Sequence, residues 1–89
     1  MKNKPHLTPR QTEIIRLVSL GCTNDEAGAI LKISPSTVDN HKTRAMEAFG
    51  TNKAVLMTRL ALKYRITSMK DQLTAREKRL SGRKKDGWN

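Results

Sequence analysis

Asp39, Asn40 and Thr43 stand within five residues of one another, in a run whose apolar positions Val38, Ala45, Ala48 and Phe49 repeat at helical spacing. They therefore face away from the apolar stripe, together with Ser36, Arg44 and Glu47. A carboxamide pairs bidentately with an adenine edge, a threonine methyl meets a thymine methyl, and a carboxylate either accepts from the cytosine amino group or rejects the wrong base. The chemistry open to this face is the reading of base edges in a DNA major groove. An ordinary solvated helix surface accounts for the same pattern. Other chemistry has little to stand on. Cys22 is the single cysteine, so neither a disulfide framework nor a paired-cysteine metal site is expected, and Cys22 reads as a small free thiol in a turn. His6 and His41 lie far apart, and no paired carboxylates accompany them. No enzyme, metal or cofactor is expected.

Three cap signals set up the elements that must carry this face. Thr8-Pro9-Arg10-Gln11 opens the first helix with a threonine cap, a proline at the first helical position and a capping-box glutamine, and Leu7 is placed to staple onto the first turn. Ile14, Ile15, Leu17, Val18 and Leu20 form its apolar stripe, Arg10, Glu13 and Arg16 are left for solvent, and Gly21 stops it. Thr23-Asn24-Asp25-Glu26 repeats the signal with acidic residues at the positive end of the helix dipole. Gly28 in the middle of that second helix costs about 1 kcal/mol relative to alanine, which implies that another backbone packs against it. Ser34-Pro35 opens the third helix, Pro35 to Phe49, and Gly50 closes it. Asn52 is the expected cap of a fourth, Lys53 to Tyr64. Two short helices joined by Lys32-Ile33-Ser34 make a helix-turn-helix.

Beyond Arg65, the stretch from Ser68 to Leu80 sets Met69, Leu73 and Leu80 on one side as a marginal amphipathic helix, and residues 81–89 read as a disordered basic tail. Leu73-Thr74-Ala75-Arg76-Glu77 echoes Leu7-Thr8-Pro9-Arg10-Gln11, but with no second helix-turn-helix behind it the echo is taken as chance. The expected fold is thus all-α: a compact four-helix helix-turn-helix domain over residues 7–65, followed by a basic, partly helical extension over 66–89.

Eighteen lysines and arginines against eight acidic residues give +10, and the sequence pI is near 10.4. Residues 1–66 contribute eleven basic and five acidic side chains and residues 67–89 seven and three, so the excess is spread along the chain. Polyanions, double-stranded DNA among them, are the expected partners of such a charge, and the solubility of a small domain accounts for it equally well. No stretch approaches the roughly 18 to 20 apolar residues of a membrane helix, and no signal core follows Met1, so no membrane partner is expected and a cytoplasmic location is.

The blocks Leu7 to Gln11, Gly21 to Glu26 and Ile33 to His41 resemble, in order and spacing, the LuxR/FixJ/GerE helix-turn-helix family. The likeness runs from about residue 7 to residue 64. It implies a transcription regulator whose third helix lies in the major groove with Asp39, Asn40 and Thr43 toward the bases. Phosphate contacts then fall to Thr23, Asn24, Ser36, Thr37, Lys42, Arg44 and Lys53. The fourth helix often pairs in this family, which makes Val55, Leu56, Arg59 and Leu62 the candidate homodimer surface, and RNA polymerase a further candidate partner. Val38, Ala45 and Phe49 match core positions. Asp39 stands where many members carry lysine, so the preferred DNA sequence does not transfer. Ala27 and Ala45 replace larger aliphatics and Ala48 a frequent lysine, implying a thinner core and one phosphate contact fewer. The six residues before Leu7 leave no room for a sensor domain, so the chain reads as a stand-alone reader or an excised piece, with Met1 favouring the former. Two other readings compete: a promoter reader like region four of a sigma factor, and a protein-interaction module built on the fourth helix. A steep loss of DNA affinity with salt separates the DNA readings from the last.

Overall fold

One capping device recurs along the chain. In the computed structural model, which describes residues 6–83, the hydroxyl of Thr8 accepts from the Gln11 amide at 3.1 Å while the Gln11 side chain accepts from the Thr8 amide at 3.1 Å. Thr23 and Glu26 repeat this reciprocal pair, and so do Thr74 and Glu77. Each box satisfies backbone donors that the first turn of a helix leaves without partners. These caps start α1 (Pro9–Ser19), α2 (Asn24–Leu31) and α5 (Ala75–Ser81). Ser34 starts α3 (Pro35–Phe49) by accepting from the Thr37 amide, with Pro35 at the first helical position. The fourth helix departs from expectation: α4 runs Ala54–Lys63, its cap residue is Lys53, and no side chain caps it. Asn52 is therefore not the cap. The Lys53 amide is taken instead by the hydroxyl of Thr51, at 3.1 Å. Among the described residues every regular element is helical.

The helices enclose two apolar clusters on either side of α1. Ile14, Leu17 and Leu20 meet Cys22, Ala27, Ile30, Val38 and Leu73 in the first, while Ile15 meets Ala45, Met57 and Ala61 in the second. Half-buried Val18 packs against both. An 11-residue helix is too short to persist in water unaided, so this double burial is what holds α1 in place.

The segment after α4 is knit into the same core. Ile66 packs on the second cluster, Thr67 is buried, and Leu73 and Leu80 close the first. Three expectations change here. The helix expected from residue 68 begins only at Ala75, because residues 68–74 form a turn in which Asp71 accepts from Thr67 and Met69 faces solvent at 62% exposure. The echo between Leu73-Thr74-Ala75-Arg76-Glu77 and the start of the chain is a shared cap, not chance. Arg16, expected in solvent, donates to Asp71 at 3.0 Å and to Glu77 at 2.8 Å. Of the basic tail, Arg83 is described, and it donates to the Leu20 carbonyl at 3.2 Å and pairs with Glu26 at 3.6 Å. Lys84, Lys85 and the residues after them lie outside the described part.

Candidate nucleic-acid interface

The turn between α2 and α3 decides how the third helix is presented. Lys32 adopts the left-handed conformation at φ 60°, a cost of about 1 to 2 kcal/mol for a residue with a side chain. The Ile33 amide then returns to the Gly28 carbonyl at 3.0 Å. A methyl group at Gly28 would sit 2.6 Å from the Ile33 carbonyl oxygen, closer than packed atoms tolerate, which explains the mid-helix glycine.

The two faces of α3 then separate, except that Ala48, placed by its spacing on the apolar stripe, is exposed. Val38 and Ala45 are fully buried, with Met46 and Phe49 half-buried beside them. Ser36, Asp39, Asn40, Thr43, Arg44 and Glu47 are exposed, so the three residues singled out for base reading share one open face. Thr37 is half-buried, and its hydroxyl lies 2.8 Å from that of Ser34. His41 is half-buried as well.

Across the α2–α3 junction the side chains are not independent. Asn24, the first residue of α2, donates from its amide nitrogen to Asp39 at 3.4 Å and accepts from the Lys42 ammonium at 3.3 Å. Lys42 also pairs with Asp39 at 3.7 Å. The spacing of Asp39 and Lys42 announces their pairing, one helical turn apart, whereas nothing in the sequence brings Asn24 to them. Thr23 caps α2 and Lys53 lies exposed before α4, with Arg44 exposed between them in sequence.

On α4, Val55 is 73% and Leu56 43% exposed, Arg59 is exposed, and Leu62 is half-buried. Thr51, Leu56, Arg59, Leu60 and Lys63 line a mostly apolar pocket there. Cys22 is a buried free thiol in the α1–α2 turn, as its setting in the sequence suggests, and burial raises its pKa despite the nearby Arg83 guanidinium at 3.7 Å. Among the described residues no group of three histidine, cysteine or acidic side chains could hold a metal ion, and no helix is long and apolar enough to cross a membrane.

Known proteins resemble this chain in sequence. The response regulator Rre1 of Synechocystis sp. is 36% identical over 64 residues, which cover 72% of this chain and 28% of Rre1. The uncharacterized response regulatory protein YgeK of Escherichia coli (strain K12) is 32% identical over 57 residues, 64% of this chain and 39% of YgeK. The chain thus spans well under half the length of either relative. No solved structure matches it significantly. Residues 5–61 match the GerE family, described as bacterial regulatory proteins of the luxR family, and this stretch takes in the caps, the tight turn at Gly28 and the open face of α3. With its helix-turn-helix intact and most of its length inside that match, the chain belongs to the luxR family of bacterial regulatory proteins.

Proposed function

We propose that the chain binds double-stranded DNA in a sequence-specific manner and regulates transcription, with α3 lying in the major groove. The carrying observation is the division of α3 into a buried apolar face and an open polar one that presents Asp39, Asn40 and Thr43 together. A polar helix face on a chain of net charge +10 suits an anionic groove. Thr23, Asn24, Ser36, Thr37, Lys42, Arg44 and Lys53 hold the flanking phosphates in this reading. Response regulators among the relatives agree with a regulatory role, and RNA polymerase is proposed as a further partner.

Base contacts specify and phosphate contacts position, so two substitutions test the reading. Asn40→Ala is expected to weaken binding to a site selected from a random DNA pool by about 1 to 3 kcal/mol and leave mixed-sequence affinity almost unchanged. Lys42→Ala is expected to weaken both and to flatten the salt dependence by about one unit. Equal losses on selected and mixed duplexes for Asn40→Ala would remove it from the base-reading set.

The exposure of Val55 and Leu56 supports a second contact. Two copies pair through Val55, Leu56, Arg59 and Leu62 of α4, which doubles the number of bases read. A single small module buries only about 600 to 1,000 Å² on DNA.

A further inference from the structure

We propose that Asp39 acts as an internal stand-in for a DNA phosphate: in the free protein its carboxylate occupies the anion position between Asn24 and Lys42 that a backbone phosphate takes on binding. This inference rests on the DNA reading above and concerns how that interface discriminates between duplexes. Three contacts define the arrangement. Asn24 Nδ2 donates to Asp39 Oδ1 at 3.4 Å, Lys42 Nζ donates to Asn24 Oδ1 at 3.3 Å, and Lys42 Nζ lies 3.7 Å from Asp39 Oδ1. One oxygen thus accepts from an amide donor and lies within ion-pair distance of an ammonium. A phosphate oxygen accepts the same two donors, with the same sign of charge.

Burial sets the direction of the exchange. The side chain of Lys42 is only 23% exposed, so its reach is limited, while that of Asp39 is 56% exposed and free to swing out. When a phosphate arrives, Asp39 must give up both donors. On a duplex with a suitable base opposite, the released carboxylate finds a new donor such as a cytosine amino group. On other sequences it finds none, and it lies close to phosphate charge instead. Non-specific binding therefore loses more than specific binding, so Asp39 raises the ratio between the two rather than the affinity itself. Asn24 is the link that carries the choice from the reading helix to the phosphate side of α2. In this arrangement Asn24 and Lys42 are coupled donors and not two independent phosphate contacts.

The test is a double-substitution cycle on the full chain, with a mixed-sequence duplex of about 30 base pairs as probe and affinity followed across a salt series. Asp39→Asn keeps the shape and removes the charge. It is expected to tighten mixed-duplex binding about fivefold at low salt, and to steepen the slope of log affinity against log salt slightly, by well under the roughly 0.9 of a whole phosphate contact, as the part of Lys42 held by Asp39 is released. In a Lys42→Met background the same substitution is expected to change affinity less than twofold, because the pair it releases is already gone. None of the three side chains belongs to either apolar cluster, so circular dichroism should show an unchanged helical spectrum for each variant. An Asp39→Asn gain of equal size in both backgrounds would mean that the carboxylate acts only as a distant repulsive charge, and would overturn the proposal. So would an unaltered affinity and slope in the native background. A native chain with no salt-dependent duplex binding would instead remove the DNA reading on which the proposal rests.

Discussion

At the scale of single residues, Gly28 is where local preference and tertiary need conflict most openly. Alanine there would improve the helix by about 1 kcal/mol. The added carbon would meet the Ile33 carbonyl oxygen at 2.6 Å, however, and backbone cannot move aside as a flexible side chain can. Overpacking of this kind costs about 1 to 3 kcal/mol. Gly28→Ala is expected to lower stability by a net of up to about 2 kcal/mol in urea unfolding, and to weaken DNA binding further because the α2–α3 angle opens. A stability equal to or above the native value would show that the turn has slack. Lys32 adds to the strain of the same corner with its left-handed backbone.

At the scale of elements, α5 and the turn before it are tied to α1 through one cation. Arg16 bridges Asp71 and Glu77 at 3.0 and 2.8 Å. Partial burial by itself raises both carboxyl pKa values, but the hydrogen bonds and charge of Arg16, helped by Thr67 for Asp71 and by Thr74 for Glu77, hold them below the ordinary 3.8 and 4.5. The guanidinium itself is raised: burial disfavours its charge, and the two carboxylates more than compensate. A depressed carboxyl binds fewer protons folded than unfolded in the interval below its ordinary value. Stability must therefore rise with pH across that interval, being complete above the ordinary values and fading as pH falls through the depressed ones. Unfolding free energies followed from about pH 6 to pH 2.5 are expected to fall more steeply in the native chain than in Arg16→Met. Parallel curves would show that the bridge adds nothing to stability.

At the scale of the whole molecule, the principal extents are 40, 28 and 20 Å, while adjacent half-sites on one face of DNA lie about 34 to 36 Å apart. Two copies fit such a spacing side by side. Pairing through α4 predicts that Leu56→Glu keeps the helical circular-dichroism spectrum yet abolishes cooperative binding to a DNA with two half-sites. Retained cooperativity would move the contact off α4. The charge of +10 per chain sets a further bound, since two copies repel each other in solution and DNA relieves that repulsion. Pairing should accordingly be stronger on DNA than off it.

Much of the fold and part of the interface were legible in the sequence because their causes are local. A hydroxyl cap answered three residues later by glutamate or glutamine fixes a helix start without reference to anything distant, and so α1 and α2 begin where the residues say. The apolar period of Pro35 to Phe49 determines which side of α3 is buried, and with it the shared exposure of Asp39, Asn40 and Thr43. The tertiary structure alone decided what depends on encounters far apart in the chain. Arg16 looks like a surface residue until Asp71 and Glu77 arrive 55 and 61 residues later. Leu73 reads as one position of a marginal apolar stripe with Met69 and Leu80, and only the turn at residues 68–74 carries it into the core at 2% exposure while Met69 faces solvent. Asn24 stands 15 residues before Asp39, and only the sharp turn at Lys32 brings the two within hydrogen-bonding distance. Local capping and periodicity cost the chain little entropy and leave their mark in adjacent residues, whereas a contact that closes a loop of tens of residues depends on the packing of everything between.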